Sequence, residues 1–369
     1  MPDVTDFLNQ FSDPRAENKV TYPLSSLLFM SICSVCSGAE TWGQIITWSE
    51  THKAWLNNYV DMSQGIPSYS TIRRLFTLIK PADFQLLLRG IVDSHHPVRK
   101  PEDHVAIDGK TLRGSHCHAK IVTAMQMVSA FSVENRLTLS EVKTNSKSNE
   151  ITAIPVLLAL LELEGATVSI DAIGCNDTVI NAILAQDADY IVGLKRNQPS
   201  LYQAVLNYAS EKGNKINTLV SDSFDDGHGR CIRRRYFTFA LPDSICAKGP
   251  AKLKTCVAVE SIVSQQHSPK VNANWRYYIT DHDASHPGLP GYVRKHWEIE
   301  SYHWLLDVHL NDDNDKKYEE NSAENFARMR RFLLNLVNSK PQKGKKESVR
   351  TRLKRISWDR EALVELLFG

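Results

Sequence analysis

The chain has 369 residues, 42% hydrophobic and 23% charged, with 44 basic against 42 acidic side chains and a formal net charge of +2. That length exceeds one small domain, and the composition is that of a globular protein with a sizeable core, not a low-complexity or disordered chain. The near-neutral total gives no bulk argument for a polyanionic partner.

Charge is instead local. Eight Lys or Arg and one acid, Glu347, fall between Lys340 and Arg355, and Arg230, Arg233, Arg234 and Arg235 form a shorter cluster. Each suits a phosphate backbone, and each equally suits a solvated surface or a tail without a partner. The seven cysteines have no regular spacing. Cys33 and Cys36 lie in an apolar run with no second pair, which reads as buried thiols. The missing disulfide framework fits a reducing cytoplasm.

Residues 1 to about 100 read as a helical domain. Apolar residues recur at helical spacing in Leu24–Val35, Trp42–Trp48, Ile72–Ile79 and Phe84–Val92. The run Leu24–Cys36 is too short to span a bilayer and lies too deep in the chain for a leader, so it reads as a core helix and no membrane is expected. The segment Pro67–Phe76 opens with good capping residues and carries Arg73 and Arg74. It fits a DNA-reading helix and an ordinary amphipathic helix alike. Pro97 to Pro101 marks a boundary.

From about 102 the pattern changes. Val105–Asp108 is a short apolar strand ending in an acid, followed by β-rich runs at Ile121–Phe131 and Leu137–Val142. Glu150–Glu164 reads as a helix, Thr167–Asp171 as a strand ending in an acid, Asp177–Gln186 as a helix and Tyr190–Leu194 as a strand. The order β-β-β-α-β-α-β predicts a mixed sheet flanked by helices, the RNase H-like α/β arrangement. Residues from about 200 to 280 read as a β-rich insertion containing Arg234–Ala240, Thr255–Val263 and Trp275–Thr280. Helices are expected at Tyr292–Val308, Ala323–Asn338 and Asp359–Phe368, with 341–369 forming a basic C-terminal tail after a catalytic domain at 101–340.

Asp108 and Asp171 each end a predicted strand. Parallel pairing would set them side by side at the sheet edge where ligands of α/β proteins gather. Adjacent carboxylates repel unless a cation lies between them, and oxygen donors favour Mg2+ or Mn2+. A third acid is expected from a later helix. Helical spacing over Tyr292–Asp307 places His296, Glu300, His303 and Asp307 on one face, with Glu298 pointing elsewhere as the weaker alternative. Arg294 and Lys295 flank that face. His116, Cys117 and His118 resemble a ligand cluster but have no second pair at zinc spacing. The chain carries no P-loop.

Several blocks are similar to the H-repeat-associated insertion-sequence transposases, also called transposase family 11. They are Val105–Ser115, Lys147-Ser148-Asn149-Glu150-Ile151, Ile170-Asp171-Ala172 with Cys175, Leu194–Gln198, His296–Glu300 with His303–Val308, and Ala323–Ala327. Tyr22-Pro23-Leu24, Gly38-Ala39 with Trp42, and Gly65–Ser68 resemble the family's N-terminal helical region, so the likeness spans roughly residues 20 to 340. It implies cleavage and joining of double-stranded DNA by two-metal phosphoryl transfer. Asp108, Asp171 and Glu300 would be the catalytic and metal-holding acids, and copies would assemble on paired DNA ends. Lys110, Arg113, Lys195, Arg294 and Lys295 are the expected phosphate contacts. The sequence departs from the family pattern at Asn176, Arg196, Ser301 and Tyr302. In the wider DDE signature Tyr–Arg–Glu–Lys, His296 stands at the Arg position and Asp307 at the Lys position. A metal-dependent nuclease that never joins, and a relic that binds DNA without cutting, are the alternatives.

Overall fold

The computed structural model describes residues 3–95, 104–116, 123–144, 150–211, 219–227, 230–265, 271–339 and 347–369. Six helices come first: α1 (Val4–Gln10), α2 (Leu24–Cys36), α3 (Trp42–Thr51), α4 (Lys53–Leu56), α5 (Tyr69–Leu78) and α6 (Pro81–His95). α2 is the expected core helix: nearly all of it is buried, including Cys33 and Cys36. Burial raises both thiols, Cys36 to about 12, so neither is poised as a metal-binding thiolate.

The sheet begins with β1 (His104–Leu112), β2 (Met125–Ser132) and β3 (Leu137–Lys143). It continues through α7 (Glu150–Leu158), β4 (Thr167–Ile170), α8 (Asp177–Leu184) and β5 (Asp189–Leu194). β1 pairs antiparallel with β2 and parallel with β4, and β4 pairs parallel with β5. This is the RNase H-like mixed sheet that the pattern predicted. After α9 (Pro199–Glu211) come β6 (Leu219–Gly227), β7 (Arg230–Ala240), α10 (Asp243–Cys246), β8 (Thr255–Gln265) and β9 (Val271–Thr280). The β-rich stretch does not form a separate layer. β9 returns antiparallel to β5, giving one nine-stranded sheet in the order β3-β2-β1-β4-β5-β9-β8-β7-β6.

The expected single helix at Tyr292–Val308 is two, α11 (Leu289–His296) and α12 (Glu298–Leu310), broken at Trp297. α13 (Glu320–Ser339) follows, then α14 (Val349–Trp358) and α15 (Arg360–Phe368). The described part of the basic C-terminal stretch is therefore helical and docked, not a free tail. Ile356, Leu363, Leu366 and Leu367 are buried in the same core as α2 and α13. That core lies on one face of the sheet and joins residues from either side of the boundary near 100, Leu28 and Phe76 with Phe326 and Leu333. A second core packs α7, α8 and α9 on the opposite face. Among the described residues no helix is long and apolar enough to cross a membrane.

Candidate active site

The site grows from strand alternation. Val105 and Ile107 of β1 point into the second core, and Ala106 into the first. Side chains two apart share a face, so Asp108 and Lys110 lie on the Ala106 side, where α12 packs. Parallel register pairs Ala106 with Ser169 and Ile107 with Ile170. The next residues, Asp108 and Asp171, therefore stand level on one face. β1 runs on to Leu112, so Asp108 ends only the part of β1 paired with β4. Asp171 caps a short 3-10 turn, accepting from the Ile173 amide at 2.9 Å. That turn can lie close to β5 because residue 193 is glycine: a Cβ there would come within 2.9 Å of the Ala172 nitrogen.

α12 brings in Glu300, exposed in an open groove lined by Arg294, Trp297, Glu298, Ser301 and Trp304. Burial, then the nearby Asp108 charge, raises the Glu300 carboxyl above its usual range. On the buried side of α12, His303 Nδ1 lies 3.5 Å from Asp108 Oδ2. A fourth acid, unassigned on sequence alone, joins the group. Glu150 opens α7 and is also raised, first by burial and then by the charges of Asp108 and Asp171. The sequence held two signals for it: an acid at the predicted start of the helix that follows the third strand, and its place in the family-like block Lys147–Ile151.

Crowded carboxylates suit a hard divalent cation such as Mg2+ or Mn2+, which would relieve their repulsion, and His303 places one nitrogen donor beside them. Among the described residues no three acidic, histidine or cysteine side chains form a group able to hold a metal ion.

The basic residues divide sharply. Lys110, expected to touch phosphate, is buried in an ion pair, its Nζ 2.6 and 2.7 Å from the Asp307 carboxylate and 3.3 Å from Asp313. Its side chain is only 7% exposed. Arg113 is 83% exposed, with one loose contact to Asp313 at 3.7 Å. Lys195 is exposed. Arg294 and Lys295 are exposed but contact Asp225 at 3.1 Å and Glu134 at 3.3 Å. In the mid-chain cluster, Arg233, Arg234 and Arg235 meet Asp222, Asp225 and Glu260 across the sheet, which removes most of the basic patch read from sequence. Arg73 of α5 is tied to Glu319, while Arg74 faces solvent. Of the His116–His118 cluster, residues 117 and 118 lie outside the described residues, as do 147–149 of the second motif block.

Helical spacing had grouped His296 with Glu300, His303 and Asp307. The helix breaks at Trp297, and His296 turns inward, still near enough to feel the charges of Asp108 and Asp171. His296 is buried, its Nδ1 2.8 Å from the Ser169 hydroxyl, which also lies 2.7 Å from His104 Nε2. Burial lowers both imidazoles, His104 to about 3, so both are neutral at neutral pH. Neither signature departure leaves an exposed cation at its position: 296 is a neutral buried ring, and 307 is an acid answered by Lys110.

Comparison with known proteins supplies the family. The model described as the transposase DDE domain matches residues 99–336, and that of its associated N-terminal region matches residues 5–91. The chain belongs to the DDE transposase family. It is 35% identical over 368 residues to the Escherichia coli K12 "H repeat-associated putative transposase YhhI", covering 97% of this chain and 95% of that one. A shorter K12 relative, "Inactive transposase YbfQ", is 44% identical over 63 residues, covering 17% of this chain and 75% of its own. A cryo-EM structure of a piggyBac transposase synaptic complex with hairpin DNA superposes with a TM-score of 0.46 at 11% identity, covering 99% of this chain and 77% of that one.

Proposed function

We propose that this family member catalyses divalent-metal-dependent cleavage and strand transfer of double-stranded DNA at the ends of an insertion sequence. The observation that carries the reading is the level placement of Asp108 and Asp171 on parallel strands beneath the helix bearing Glu300. Asp108, Asp171 and Glu300 would hold Mg2+ or Mn2+. When bound, such ions activate a water or 3′-hydroxyl and stabilise the leaving oxygen. The chain's own share is positional. The strands and α12 fix three carboxylates at one edge, and the phosphodiester needs no nucleophilic side chain.

Arg113 and Lys195 are the cations best placed for backbone phosphate, because both are exposed and neither is neutralised at close range. Arg294 lines the Glu300 groove and Lys295 follows it in α11; DNA would compete for them with Asp225 and Glu134. In the helical region, residues 1–100, Arg74 on the exposed side of α5 is the corresponding contact. The protein would act in the cytoplasm, with copies assembled on paired ends.

The test uses supercoiled donor DNA carrying the element's ends, with Mg2+ or Mn2+. Wild-type protein nicks and joins, whereas Asp108→Ala binds the ends but loses at least about a hundredfold in cleavage. Full cleavage by Asp108→Ala would sink the assignment. Hydrolysis without joining by wild-type protein would make it a nuclease, and binding alone a relic.

A further inference from the structure

Glu150 approaches the site from the wrong face of the sheet. α7 packs on the second core through Ala153, Ile154, Leu157 and Leu158, the face to which Val105 and Ile107 point. Continuing the alternation, any side chain at position 109 would point the same way. Residue 109 is glycine, and the Glu150 carboxylate fills the space its side chain would take. A Cβ at Gly109 would stand 2.3 Å from Glu150 Oε1, 2.4 Å from Cδ and 2.9 Å from Oε2. The carboxylate thus lies against the backbone next to Asp108. Among the described residues no hydrogen bond or ion pair ties it down, although Lys and Arg are abundant in the chain. An acid is favourable at a helix start, but that role is served equally well by a side chain turned to solvent. It does not require a glycine in the neighbouring strand.

We propose that Glu150 is a fourth carboxylate of the metal centre, reaching through the gap at Gly109 to share a divalent cation with Asp108 and Asp171. This rests on the reading of Asp108 and Asp171 as metal-holding residues. Asp108 and Asp171 would define the centre from the α12 face, while Glu150 closes it from the α7 face. Its removal would weaken metal retention before any DNA is present.

Mn2+ binding to the full chain without DNA, followed by calorimetry or by the free-ion EPR signal, tests this apart from catalysis. Wild-type protein binds Mn2+ and Asp108→Ala does not. Glu150→Gln keeps the side chain's shape and the melting temperature but weakens Mn2+ binding by about tenfold or more. Gly109→Ala places a methyl where the carboxylate sits, and since that carboxylate ends a flexible side chain, it displaces the acid without unfolding the strand. It weakens Mn2+ to a similar extent. Wild-type affinity in Glu150→Gln, with binding lost in Asp108→Ala, overturns the role of Glu150 and leaves the three-acid reading standing. Wild-type affinity in Gly109→Ala overturns the placement of the carboxylate at this gap. Undiminished binding in Asp108→Ala, or none in wild type, overturns the reading of the site itself.

Discussion

At the scale of single residues, Lys110 shows how much a partner far along the chain decides. Two positions after an acid at a strand end, it reads as a phosphate contact. In the fold its ammonium is used up by Asp307, 197 residues away, and by Asp313. The pair fastens α12 to β1, so it holds the helix carrying Glu300 against the strand carrying Asp108. Lys110→Met therefore leaves two carboxylates facing an apolar group. Because they are 30% and 25% exposed, water screens part of the penalty, and the expected cost is about 1–3 kcal/mol. Removing Asp307 together with Lys110 costs less than the sum of the two single changes, which urea denaturation of Lys110→Met, Asp307→Asn and the double variant checks. Additive losses would show that the two do not act as a pair. The level placement of Asp108 and Asp171 was legible because the strand register and the motif agree. The ion pair of Lys110 and the seat of Glu150 were not: one depends on distant acids, the other on a glycine that leaves room for the carboxylate beside β1.

At the scale of elements, the strand–helix order of the core was readable from periodicity, and the misreadings share a cause. In α14 the charges of Arg350, Arg352, Lys354 and Arg355 obscure a helical stripe formed by Val349, Leu353 and Ile356, all packed on the first core. In β6 the acids Asp222 and Asp225 obscure an alternating strand, and their function emerges only when β7 sets arginines opposite them. The break at Trp297 carries no Gly or Pro to announce it. α15 is a structural member of the first core, with Leu363 fully buried. Leu363→Ala should lower stability by about 2–4 kcal/mol in chemical denaturation. A change below about 0.5 kcal/mol would mean that the C-terminal helices are only loosely attached.

At the scale of the whole molecule, the sheet and the helices around it cannot be divided at residue 100 without opening a core. Phe76 and Trp42 stack at 5.0 Å between ring centroids, and Trp42 meets Phe326 edge-on at 4.9 Å. Asn325 donates from its amide to the carbonyls of Phe76 and Ile79, both at 2.9 Å. A fragment spanning 104–339 would expose this apolar face and leave those contacts unmade. It should be insoluble or lack a cooperative thermal transition, whereas the full chain melts with its near-ultraviolet and far-ultraviolet circular dichroism changing together. A soluble, cooperatively folding fragment would show that the sheet is independent of the amino-terminal helices.

The sheet order also constrains the timing of synthesis. β5 gains its second neighbour from β9, the last strand of the sheet to be made, and α2 and α6 share a core with the far end of the chain. As the polypeptide leaves the ribosome, the middle of the sheet keeps an open hydrogen-bonding edge for some eighty residues of growth. The amino-terminal helices wait longer still, until residues near 367 have emerged. An exposed strand edge and an uncovered apolar face are both templates for misassociation. The acids of the site are thus assembled late: Asp108 and Asp171 are laid down early, but the helix carrying Glu300 follows the whole sheet.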